Sequence, residues 1–227
     1  ALAESWTVSD DGKVLTFKLR QGVTFTDGTP WNSEAAAWNL NRWIGVEGHN
    51  WLGIVANFES TEIIDDSTIV IHLKEGVPAA LNELTYVRPV RFLSPKSVGA
   101  DGAYVDPVGT GPWVFASGSA DGVELTRNEN YWGKKPLIEK ISLAVMTNAR
   151  SRVDALRAGQ IDVTGGTLVA QLSPDDALTL KDSGMTIVAA PGTDTMILGF
   201  NPTRPIFQDV AVREAINLCI DRDAICQ

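Results

Sequence analysis

The sequence is poor in the residues from which most self-contained chemistry is built. Two cysteines, Cys219 and Cys226, are too few to frame a 227-residue chain. On one continuous helix their Cα atoms would lie ~10.5 Å apart, beyond the ~7 Å that a disulfide spans, so both are expected to be buried free thiols. The two histidines, His49 and His72, are far apart, and no HExxH, CxxC or EF-hand spacing occurs. A resident metal site therefore has no support. Lys and Arg number 19 against 28 Asp and Glu, a net charge of −9. The bases are scattered among acids, which disfavours a nucleic-acid partner or an anionic membrane surface. No window reaches the ~18 uncharged apolar residues of a spanning helix, since the longest lightly charged stretch, Met185 to Phe200, contains Asp194, Pro191 and Gly192. Gly109-Thr110-Gly111 lacks the third glycine of a dinucleotide loop and the Gly-Lys-Ser/Thr of a phosphate loop. There is no GxSxG elbow, and the paired acids Asp10-Asp11, Asp65-Asp66 and Asp175-Asp176 fall at turns or a helix start, where neighbours point apart. The chain is not expected to be an enzyme and needs no cofactor.

What is present is a globular composition, 44% hydrophobic and 21% charged, with room for one large or two modest domains. Alternation of Leu15, Phe17 and Leu19 with polar residues, after the turn Ser9–Gly12, predicts a hairpin of Trp6–Val8 with Val14–Leu19. The same grammar predicts a second hairpin, Phe58–Ile64 with Thr68–Leu73. Between them, helical spacing predicts a helix over Ser33–Ile44 with Asn32 as its N-cap. Further on, helices are expected at Ala79–Leu84, Asn148–Ala158, Ser173–Leu180 and Asp209–Ile220. Strands are expected at Trp113–Phe115, Val123–Thr126, Ile138–Met146, Gln160–Val163, Met185–Ala189 and Thr195–Phe200. The class is mixed α/β.

Two features stand out. Seven tryptophans, at 6, 31, 38, 43, 51, 113 and 132, are either core mass or the walls of a ligand cleft. Arg88-Pro89-Val90-Arg91 sets two permanent cations in an apolar, proline-stiffened stretch. Their partner carboxylate belongs either to the protein, as an internal salt bridge, or to a ligand.

Several stretches taken in order resemble family 5 extracellular solute-binding proteins, the dipeptide, oligopeptide and nickel receptors of ABC importers. They are Leu2–Trp6 with Asp10-Asp11-Gly12, Phe17–Phe25, Asp27–Pro30, Gly109–Pro112, Arg127–Gly133, Gly159–Asp162 and Val212–Asn217. The resemblance implies a periplasmic-binding-protein-like two-lobe α/β fold, here mostly lobe I with its inserted subdomain and only the start of lobe II. It assigns residues 1–107 to the hairpin-rich insert, 108–194 to lobe I proper, and 195–227 to a hinge strand and the first helix of lobe II. Family members are roughly twice as long, so the chain is expected to be a fragment. In that fold the apolar side of its last helix (Val212, Ala215, Ile216, Cys219) packs in a lobe that continues past Gln227, so self-association of the fragment is expected.

Within the family, Arg88–Phe92, His49–Leu52 and the Arg127 motif resemble the nickel-binding branch. There the arginines matching Arg91 and Arg127 grip carboxylates of a small chelator that carries the metal. The resemblance thus implies ligand-binding roles for Arg91 and Arg127, nickel as cargo rather than cofactor, and an ABC permease as partner. It places the protein in the periplasm, or at the cell surface if lipid-anchored. A peptide receptor of the same family is the alternative.

Overall fold

A computed structural model describes residues 1–43, 46–86, 90–166, 171–190 and 197–225, without the side chain of Glu47. The chain divides into two compact units, Ala1–Met146 and Thr147–Gln227.

In the first unit, β1 (Ala3–Val8) and β2 (Val14–Leu19) form the first hairpin, and β3 (Phe58–Asp65) and β4 (Thr68–Leu73) the second. The four make one antiparallel sheet in the order β1-β2-β4-β3. The two hairpins join through β2 and β4, with Leu15 opposite Ile71 and Phe17 opposite Ile69. Helix α1 (Ser33–Trp43) packs on β3 and β4. The Asn32 carboxamide caps it, accepting from the Ala35 N–H at 3.0 Å, as the sequence predicts. Leu15, Leu19, Ile69, Ile71 and Leu73 from the sheet meet Ala35, Ala36, Leu40 and Trp43 from the helix in the core. Short helices α2 (Gly53–Ala56) and α3 (Ala80–Glu83) border this layer, and the Glu83 carboxylate accepts from the N–H groups of Gly53 and Ile54 at the start of α2. The tips of the sheet lie close together. A Cβ on Gly76 would stand 2.3 Å from the Asp11 carbonyl oxygen, which restricts that position to glycine.

A second, three-stranded antiparallel sheet follows: β5 (Trp113–Gly118), β6 (Gly122–Arg127) and β7 (Lys140–Ala144), in that order. All three strands lie where they are expected, with β5 and β6 longer and β7 shorter at both ends.

In the second unit, α4 (Ala149–Arg157) and α5 (Pro174–Asp182) pack together and Val153 and Leu180 are buried. Asn148 and Ser173 cap them, and Gly159, at φ +68°, closes α4. Helix α6 (Val210–Leu218) is capped by Asp209, and α7 (Arg222–Ile225) ends the described chain. No residue of α6 is buried. Three expected strands are not formed. Gln160–Val163, Met185–Ala189 and the described part of Thr195–Phe200, residues 197–200, have no strand structure; 195 and 196 lie outside the described residues. An apolar run becomes a strand only where a neighbour supplies the ladder, and Val163, Val188 and Ile197 are more than four-fifths exposed. The hinge strand is thus not seen in the described residues. Cys219, expected buried, is an exposed free thiol; Cys226 lies outside the described residues. Among the described residues no helix is long and apolar enough to cross a membrane.

The β3–β4 turn yields a pH test. Asp65 accepts from the Thr68 hydroxyl at 2.8 Å and from the Ser67 N–H and hydroxyl at 2.8 and 2.9 Å. These bonds, that to Thr68 foremost, bring its pKa from 3.8 down to about 2. A depressed folded-state pKa contributes stability above the unfolded value, and that contribution is lost as pH falls through the folded one. Asp65→Asn should therefore lower the melting temperature at pH 7, with the gap to wild type closing between about pH 4 and pH 2; a gap that does not depend on pH would refute this role.

Candidate ligand-binding site

Arg91 is an exposed residue on a segment, Val90–Ser94, that belongs to no sheet yet is held as firmly as a strand. The fully buried Asn39 of α1 substitutes for the missing neighbour. Its Nδ2 donates to the carbonyl oxygens of Leu93 at 2.8 Å and Ala35 at 2.9 Å, and its Oδ1 accepts from the Leu93 N–H at 2.8 Å. One turn later, Arg42 Nη2 donates to the Arg91 carbonyl at 3.2 Å. Beyond, the Ser94 N–H donates to Val108 O at 2.9 Å and the Ser94 hydroxyl to Asp27 Oδ2 at 2.6 Å. Partial burial opposes ionisation of Asp27, but the Ser94 hydroxyl and the Thr29 N–H outweigh it and hold its pKa below the ordinary value.

The extended backbone alternates its side chains. Val90 and Phe92 pack on the core, the Phe92 ring meeting Trp31 and Trp43 edge-on at 5.2 and 5.4 Å. Arg91 lies on the exposed side, so the expectation of a cation set among apolar groups does not hold: its apolar neighbours face the other way. Arg88 lies outside the described residues.

Arg127 ends β6 and is half-buried. Its Nε donates to Glu129 at 2.8 Å, Nη2 lies 3.6 Å from Glu139, and Nη1 donates to the carbonyls of Pro136 and Leu137 at 3.4 Å. Glu129 in the following turn and Glu139 just before β7 thus occupy the guanidinium. The rest of its motif is a clasp on the Gly109–Pro112 turn. Asn128 Nδ2 donates to Gly111 O and Trp132 Nε1 to Thr110 O, both at 2.9 Å. The Arg20 guanidinium lies 5.0 Å above the Trp132 ring. A Cβ on Gly133 would fall 2.7 Å from the Tyr131 ring.

The tryptophans divide between core and surface. Trp31 and Trp43 are core, whereas Trp51 is 60% exposed and meets the half-exposed Tyr86 edge-on at 5.5 Å. His49 Nδ1 lies 3.4 Å from the Trp43 carbonyl, and His72 Nε2 lies 3.0 Å from Glu62. Among the described residues no group of three or more His, Cys, Asp or Glu is placed to hold a metal ion. An apolar cavity of about 410 Å³ lies beneath Phe92, walled by Trp6, Phe17, Trp31 and Leu84. No charged side chain lines it, so it is unsuited to an anion.

The family model for bacterial extracellular solute-binding proteins, family 5 Middle, matches residues 1–227. The chain belongs to that family. It is 32% identical over 230 residues to the nickel-binding periplasmic protein of Escherichia coli (strain K12), covering 99% of this chain and 44% of that protein. It is 31% identical over 229 residues to the glutathione-binding protein GsiB of Salmonella typhi, with the same coverage. Its fold superposes on the crystal structure of NikA from Brucella suis in complex with Fe(III)-EDTA with a TM-score of 0.89 at 34% identity, covering 99% of this chain and 46% of that one. The chain thus has the mixed α/β fold of the periplasmic binding proteins and spans less than half the length of these family members.

Family motifs mark Arg91 and Arg127, but Asn39 and Arg42 have no sequence signal that ties them to a segment some fifty residues away. Only the helical phase of α1, which sets Asn39 on the face of Ala35 and Ala36, points to a buried amide. Asn39→Ala should destabilise the first unit by about 2–3 kcal/mol, because the Leu93 N–H and C=O lose their partners. Chemical denaturation monitored by tryptophan fluorescence measures the change; a loss below ~0.5 kcal/mol would show that the clasp contributes nothing.

Proposed function

We propose that this chain forms part of the ligand-binding receptor of an ABC importer. Its cargo is nickel held by a small carboxylate chelator, which the receptor captures without chemistry and delivers to the membrane permease. It works in the periplasm, or at the cell surface through a lipid anchor. The observation that carries this reading is Arg91: an exposed guanidinium on a backbone fixed at residues 91, 93 and 94. A planar fork that stays charged at every relevant pH pairs bidentately with a carboxylate, and a fixed backbone lowers the entropy lost on binding. Similarity to a nickel-binding protein and to a receptor that holds a metal chelate supports the same cargo. In this reading Arg127 takes part by exchanging Glu129 or Glu139 for a ligand carboxylate.

Similarity to a glutathione-binding protein favours a second reading, a peptide receptor. There, backbone hydrogen bonds to an extended ligand dominate.

Mass spectrometry of the ligand that co-purifies with the full-length receptor separates the two: a nickel chelate supports the first, a peptide mixture the second. In calorimetry with the nickel chelate, Arg91→Gln should weaken binding by ~2–5 kcal/mol if the pair is desolvated. A change below ~0.5 kcal/mol would remove Arg91 from the site.

A further inference from the structure

Helix α1 packs on β3 and β4, one half of the four-stranded sheet, and the core face thins toward β1. Trp6 stands opposite Phe17 and Phe17 opposite Ile69, so the three form one row on that face across three strands. Exposure rises along the row: Ile69 is fully buried, Phe17 half-buried, and Trp6 51% exposed. An aromatic ring on a core face that is half in solvent marks a space beside it that no side chain fills.

That space is the apolar cavity of about 410 Å³. Its floor is made of buried side chains, among them Leu19, Trp31, Leu40 and Ile71. Its rim is exposed, with Trp6 on the β1 side and Asn82 and Thr85 on the α3 side. Apart from the indole N–H groups of Trp6 and Trp31, the polar side-chain atoms of the lining belong to Asn82 and Thr85, so they too lie at the rim. The polar groups that border the interior are paired. Trp31 Nε1 donates to the Leu2 carbonyl at 3.2 Å, and the Arg20 N–H donates to the same oxygen at 2.9 Å. Among the described residues, no buried side-chain polar atom left without a partner lines the cavity. Water needs two to four polar partners to settle, and an apolar cavity of about 150 Å³ stays dry and takes up benzene. This one has more than twice that volume, within the range of small-molecule sites.

We propose that the cavity is a second ligand site, for an uncharged small molecule of roughly two aromatic rings or an equivalent aliphatic length. Such a ligand carries at most one neutral polar group, which stays at the rim beside Asn82. A charged group on its body would be stripped of water against a lining that offers it no counter-charge. The site is distinct from that of Arg91: Phe92 lines the cavity from one side of the extended segment, and Arg91 lies on the other. The proposal draws nothing from the reading of Arg91.

The test is fluorescence titration of the full-length receptor with N-phenyl-1-naphthylamine, which is uncharged, and with 8-anilino-1-naphthalenesulfonate, the same skeleton bearing a sulfonate. The uncharged amine should bind saturably at one per receptor, with energy transfer from tryptophan, and ~10-fold or more tighter than the sulfonate. Leu81→Trp sets a larger ring into the cavity from α3 and should weaken the amine ~10-fold or more, whereas Leu81→Met should change it by less than about threefold. Circular dichroism establishes that each variant is folded. Thr85→Trp, which covers the mouth from an exposed position, should weaken the amine similarly and decides the matter if Leu81→Trp does not fold. The proposal is overturned if the full-length receptor binds no amine, as when another part of its chain fills the space. Amine binding that both tryptophan variants leave unchanged, or sulfonate binding as tight as that of the amine, overturns it as well.

Discussion

The candidate site depends on a single buried amide. Asn39 gives a lone extended segment the hydrogen bonds that a sheet would otherwise supply, and it does so from a helix. A carboxamide can do this because it carries a donor and an acceptor at the spacing of a peptide group. The hydroxyl of a serine could not serve both the Leu93 N–H and its carbonyl in this geometry. The result couples three things that are separate in sequence: the phase of α1, the path of residues 90–94, and the alternation that turns Phe92 inward and leaves Arg91 outside. The aromatic edges of Trp31 and Trp43 around Phe92 add apolar contact to the same joint.

Local signals were legible and non-local ones were not. Both hairpins and the helices α1, α4, α5 and α6 with their local side-chain caps could be read from the chain because turn residues, caps and alternation act over a few residues. The three strands that failed illustrate the limit. Met185–Ala189 has β-branched, apolar character, but strand formation depends on a partner, and a single run of sequence does not contain that information. Arg91 was singled out by its motif, whereas its apolar setting was misread because sequence proximity conceals that extended residues alternate sides.

The Arg127 motif shows how a recognisable string can divide between binding and architecture. Asn128 and Trp132 tie the three-stranded sheet to the Gly109–Pro112 turn, and Arg127 itself is closed by Glu129, which Lys135 also engages at 2.9 Å. The Lys135 and Arg127 contacts keep the Glu129 pKa below its ordinary value. A ligand carboxylate at Arg127 therefore meets a competitor that is already charged.

The alanine run of α1 has a consequence of its own. Ala35, Ala36 and Ala37 are all buried, and their small side chains let the helix axis approach the sheet more closely than leucine or valine would allow. The height of that helix above the strands also sets where Asn39 and Arg42 stand. An added methyl or two beneath the helix would lift both and shift the backbone of residues 91 and 93 that they hold. The thickness of the α1–sheet layer thus reaches the course of a segment some fifty residues away in sequence.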